Sequence, residues 1–90
     1  MEHELNSLTV GHTKNINGHV VTRWSENSFE VGTWGRETMT LAQTLAFLAG
    51  YDARSEGKDT LWNPFEYLYH KAEHDSWRAG WLRHQQQVAA

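Results

Sequence analysis

The chain has no cysteine among its 90 residues. That excludes a disulfide, a thiolate nucleophile and any zinc site built on sulfur. Basic residues are also in short supply: eight Lys and Arg stand against eleven Asp and Glu, a formal net charge of −3 with histidines neutral. A protein that grips nucleic acid mainly by neutralising phosphates needs a basic face, so direct nucleic-acid binding is disfavoured. Long hydrophobic runs are missing, and the most apolar stretch, residues 41–51, is too short and too interrupted to span a bilayer. The opening MEHELNS has no apolar h-region. No signal peptide is therefore expected, and the default is a cytoplasmic protein without membrane contact. There is no GxGxxG or Walker A loop, and Ser25, Ser28, Ser55 and Ser76 lie in no nucleophile-elbow context. So short a chain also has little room to enclose a small-molecule pocket. The expectation is a protein that is not an enzyme and carries no cofactor.

What the sequence does hold is aromatic: five Trp, three Tyr and three Phe. Large rings bury much surface per residue, so a few can hold together the one modest core that this length allows. A single domain over residues 1–90 is expected.

Residues 1–7 read as a loose polar lead-in. From 8 to 35 the pattern has period two. Asn17-Gly18 is the strongest hairpin signal, because a type I′ turn needs positive φ at both central residues. It pairs a strand over 9–16 with one over His19–Ser25; a turn at 25–28 then leads to a third strand over 29–34. A four-residue loop there sets Trp24 opposite Phe29 and Thr22 opposite Val31, making one apolar face with Val20. The first strand, with Gly11, Lys14 and Asn15, is an edge.

A helix over 40–56 opens on Thr40 with Gln43 three residues later, a capping-box spacing, and stops at Gly57. Its small residues Ala42, Ala46, Ala49, Gly50 and Ala53 form a stripe that a partner helix or a large ring can approach closely. A second helix over 63–85 takes Asn63 as N-cap, Pro64 at its first position and Glu66 at its third. At about 100° per residue, Phe65, Leu68, Tyr69, Ala72, Ser76 and Ala79 share one face and Tyr67, His70, His74, Trp77 and Trp81 another. Beyond Gln85 the tail should fray.

His70 and His74 lie four apart with Glu73 nearby, a spacing able to hold a metal. HKAEH is not the HExxH order, however, and no companion set completes four ligands. They are expected as half-buried rings beside Trp77 and Trp81. Tyr67, Trp77 and Trp81 with Arg78 and Arg83 suggest base stacking, but Trp at helical spacing is more often core. Trp, Tyr and Arg also dominate interface hot spots. Five Trp exceed what such a core encloses, so at least one should be exposed, with Trp62 or Trp34 foremost. The candidate interaction surface is Trp34, Trp62, Tyr67, Arg78 and Trp81.

Gly50-Tyr51-Asp52-Ala53 with Gly57-Lys58, then Asn63-Pro64-Phe65, then Trp77-Arg78-Ala79-Gly80-Trp81 together resemble the ribosome modulation factor family and its CrpP-type relatives. The likeness covers about residues 41–85. It implies a two-helix hairpin in which Gly50 and Gly80 permit close approach and the Trp pair fills the gap. For function it implies a ribosome- or RNA-associated modulator, or a small CrpP-like modifying enzyme. The chain differs from that pattern in its acidity, in about one extra helical turn between Pro64 and Trp77, and in its added sheet.

The expected fold is α+β, a small N-terminal antiparallel sheet of two or three strands packed on a C-terminal helical hairpin. The expected function is non-enzymatic binding: a phage- or mobile-element-encoded protein that docks on a host protein or ribonucleoprotein complex and modulates or inhibits it. A homodimer stays open.

Overall fold

A computed structural model of the protein describes residues 2–16, 18–32 and 38–89. The expectations placed on Asn17 and Trp34 lie outside the described residues. The order is helix α1 (Glu2–Ser7), strands β1 (Thr13–Ile16), β2 (His19–Ser25) and β3 (Ser28–Val31), helix α2 (Leu41–Ser55), a 3-10 turn (Thr60–Trp62) and helix α3 (Lys71–Ala89). This is an α+β arrangement, with a three-stranded antiparallel sheet of order β1-β2-β3 ahead of two long helices. The chain divides into two compact units, Met1–Leu45 and Ala46–Ala90. Among the described residues no helix is long and apolar enough to cross a membrane.

The first unit departs from its expected form at three points. The lead-in is a helix, because burial of Leu5 and Leu8 and a cap from Arg23 stabilise a segment too short to be helical alone. Arg23 Nη1 donates to the carbonyls of Asn6 (3.2 Å) and Leu8 (2.8 Å), and Nη2 donates to that of Glu26 (2.6 Å). The strand expected over 9–16 begins only at Thr13. Residues before it form a turn in which His12 N–H donates to the Thr9 carbonyl and Gly11 takes a φ of +86°.

The third departure is one of register. Ser25 pairs with Ser28, as the expected alignment requires, but a bulge between Arg23 and Ser25 inserts Trp24 as an extra residue. Beyond it Arg23 faces Phe29 and Val21 faces Val31. A one-residue slip moves every side chain to the other face. Val21 and Phe29 are therefore buried, while Val20 and Trp24 are exposed and Trp24 Nε1 donates to Glu30 (2.9 Å). The Arg23 guanidinium lies 5.2 Å from the Phe29 ring centre. β3 ends at Val31, and its Phe29 exchanges two 2.7 Å backbone hydrogen bonds with Met39.

α2 begins as its sequence signals. Gln43 Oε1 accepts from Thr40 N–H (2.9 Å) and Gln43 N–H donates to Thr40 Oγ1 (3.2 Å), a reciprocal capping box. It ends in a Schellman motif: Lys58 N–H donates to the Ala53 carbonyl and Gly57 N–H to that of Arg54, each at 3.0 Å, with Gly57 at φ +84°. In the second unit Trp77 is buried with Ala46 and Ala53, and Phe65 and Trp81 pack against them. Ala42 and Ala49 are exposed, so only part of the small-residue stripe serves this packing. A Cβ at Gly50 would lie 1.9 Å from the Trp77 carbonyl oxygen, and one at Gly80 1.9 Å from that of Phe47. Backbone thus meets backbone at two glycines, one on each helix.

Candidate aromatic docking site

The connection between α2 and α3 is built from short side-chain-to-backbone hydrogen bonds. Asp59 caps the 3-10 turn, its Oδ1 accepting from Leu61 N–H at 2.9 Å. Asn63 follows, and here the expected helix start fails. Asn63 is extended, at φ −62° and ψ 116°, as an N-cap before Pro64 would be, but residues 64–70 do not continue as a helix. Its Oδ1 accepts from Phe65 N–H (3.0 Å), closing an Asx turn in place of a helix cap. Tyr69 and His70 then both donate to the Glu66 carbonyl, and α3 begins only at Lys71. It runs on to Ala89, past the point where fraying was expected.

Asn63 also ties this connection to α3. Its Nδ2 donates to the His74 carbonyl (3.2 Å), and His74 Nδ1 lies 2.9 Å from the Phe65 carbonyl. A hydrogen bond to that carbonyl needs a proton on Nδ1, whereas the approach of Asn63 Nδ2 to the same nitrogen (3.3 Å) needs it bare. The Tyr67 ring stands edge-on to His74, with centres 5.4 Å apart. Trp81 holds the other end: its Nε1 donates to the Lys58 carbonyl (2.7 Å), and the Arg54 guanidinium lies 5.4 Å from its ring centre.

With Phe65 drawn into the core, its neighbours point outward. Leu61 is 89% exposed, Trp62 63%, Tyr67 53%, Leu68 85% and Tyr69 77%. Leu68 and Tyr69 were expected to share a helix face with Phe65, Ala72, Ser76 and Ala79; without a helix over 63–70 that face does not form there, and Trp77, from the other stripe, is buried. Two of the exposed rings are clamped in the same way. Lys58 Nζ lies 5.2 Å from the Trp62 ring centre and 3.2 Å from Glu56; Lys71 Nζ lies 5.5 Å from that of Tyr67 and 2.9 Å from Asp75. Asp75 raises the Lys71 pKa through its hydrogen bond and its charge. Each lysine covers a ring and is itself held by a carboxylate.

Of the five expected interaction residues, Trp62 and Tyr67 are exposed in this connection and Arg78 on α3, while Trp81 is half-buried as a bracket. Trp77 is core. Tyr51 is half-buried, edge-on to His84 at 4.8 Å, and donates its hydroxyl hydrogen to Gln87 Oε1. Leu61, Leu68 and Tyr69 were missed as exposed residues, and so was Trp24 in the first unit. The signal that would have found the first three is Asn-Pro, which reads equally as an Asx turn. His70 is exposed with its ring near Phe65, and among the described residues no three His, Asp or Glu side chains converge as metal ligands. No family model matches the chain, nor does any curated protein or solved structure.

Proposed function

We propose that the chain is a non-catalytic docking protein that binds a larger host protein or ribonucleoprotein assembly through its 61–69 connection. Such a protein would suit a phage or mobile element that modulates or inhibits a host machine. One observation carries the reading. Leu61, Trp62, Tyr67, Leu68 and Tyr69 are all exposed around one anchored residue, Phe65, on a backbone already fixed by Asp59, Asn63 and His74. Large apolar side chains on a pre-ordered segment lose little further entropy on binding, which is what hot-spot residues require. The cations favour a protein partner as well. At least four of the eight Lys and Arg side chains are engaged within the chain: Arg23 bonds to carbonyls, Arg54 covers Trp81, and Lys58 and Lys71 pair with carboxylates.

A ribosome- or RNA-associated role, implied by the likeness to ribosome modulation factor, is the second reading. The lysines over Trp62 and Tyr67 favour it, since rings with adjacent cations also stack bases. Binding to bacterial ribosomes and to nuclease-treated lysate, at two salt concentrations, separates the two. For protein docking, Trp62→Ala with Leu68→Ala weakens binding by more than about 1 kcal/mol without changing the melting curve. Affinity should also move less than about tenfold between roughly 50 and 200 mM salt. A loss of several orders of magnitude with salt, together with tolerance of both substitutions, would establish the RNA reading instead.

A further inference from the structure

We infer that the surface which receives the 61–69 connection is a protein cleft, apolar at its floor and rimmed by Lys and Arg side chains. This rests on the docking reading and adds the chemistry of the partner. Between residues 56 and 75 five carboxylates (Glu56, Asp59, Glu66, Glu73 and Asp75) stand against two ammonium groups, Lys58 and Lys71. The rest of the chain holds six acidic and six basic residues, so the entire net charge of −3 belongs to this one segment.

The local pairing sharpens the imbalance. Both ammonium groups already face carboxylates, Lys58 on Glu56 and Lys71 on Asp75. Among the described residues no cation pairs with Glu66 or Glu73, and Glu66 is exposed in the middle of the apolar connection. The docking residues therefore sit in a negative field. That field repels a phosphate backbone and an anionic bilayer alike. A neutral bilayer fits no better, because sinking Leu61, Trp62, Leu68 and Tyr69 into the acyl boundary would carry the Glu66 carboxylate with them. A protein cleft with a basic rim meets both demands. Its floor covers the leucines and rings, and its rim cations meet Glu66 and Glu73, giving register and a faster encounter.

The test uses p-benzoylphenylalanine introduced at position 68, irradiated in nuclease-treated bacterial lysate. The cross-linked peptides are then mapped, and association with the purified target is timed. The expected site has apolar residues flanked by Lys or Arg. Glu66→Lys with Glu73→Lys should slow association by about tenfold at low salt, Glu66→Gln with Glu73→Gln by less, and the melting curve should hold. The inference is overturned by the absence of any protein cross-link, by capture that nuclease abolishes, or by Trp62-dependent sedimentation with phosphatidylcholine or phosphatidylglycerol vesicles. Association left unchanged or made faster by the charge reversals also overturns it. If Trp62→Ala and Leu68→Ala leave target binding intact, the docking reading itself fails; if they abolish it while the charge reversals do nothing, only the basic rim does.

Discussion

A methyl group added at Gly50 or Gly80 would lie 1.9 Å from a carbonyl oxygen of the facing helix, and in both cases the obstacle is backbone. Backbone has no rotamer to change, so the helices must separate. Gly50→Ala and Gly80→Ala should each destabilise by about 3 kcal/mol, which urea denaturation would register as a lowered midpoint with little change in slope. Trp77→Ala acts by the opposite route, removing a ring that is 2% exposed and leaving a cavity, at a cost of about 3–5 kcal/mol. Both roles were legible in the sequence, since a glycine inside a helix asks for a packing reason and an isolated Trp at helical spacing asks for a core. Asn63 was not legible. Its side chain closes an Asx turn on Phe65 and bonds the His74 carbonyl, and nothing in the sequence ranks that above a helix cap. Asn63→Ala should cost about 1–2 kcal/mol and speed hydrogen exchange at the Phe65 amide. Unchanged exchange there would mean that the Asn63 side chain does not hold the Phe65 amide.

At the scale of the element, the outcome follows how local each signal is. The box of Thr40 and Gln43 and the stop at Gly57 depend on residues within one turn, and both form as their spacing implies. Thr40→Ala should accordingly cost about 1 kcal/mol, and Gly57→Ala a similar amount because alanine resists the left-handed region. Equilibrium melts would measure both. Sheet register depends on partners further away. The alternation of β2 fits either face, and the bulge at Trp24 selects the one on which Arg23 covers Phe29 and reaches the carbonyls ending α1. The same long-range bond makes the lead-in helical, which residues 1–7 alone could not disclose. α3 starts late because no helix follows the Asx turn at Asn63, and its expected start rested on residue types that suit both conformations.

Over the whole molecule, the two exposed tryptophans described, Trp24 and Trp62, fall in different compact units. They differ in setting. Trp24 bonds Glu30 on a sheet face, whereas Trp62 lies under a lysine in a nine-residue connection that holds four other exposed large side chains. Singly exposed apolar residues are ordinary on any surface; a contiguous group is what marks an interface. The proposed docking site therefore lies in the second unit, and fluorescence can check it. In variants retaining only one of the two exposed residues, with Trp34→Phe throughout, acrylamide should quench Trp62 or Trp24 above the level set by buried Trp77 and half-buried Trp81. Adding the target captured through position 68 should then shield Trp62 and leave Trp24 as accessible as before. Shielding of Trp24 with Trp62 unaffected would move the interface to the sheet and make the aromatic connection a bystander.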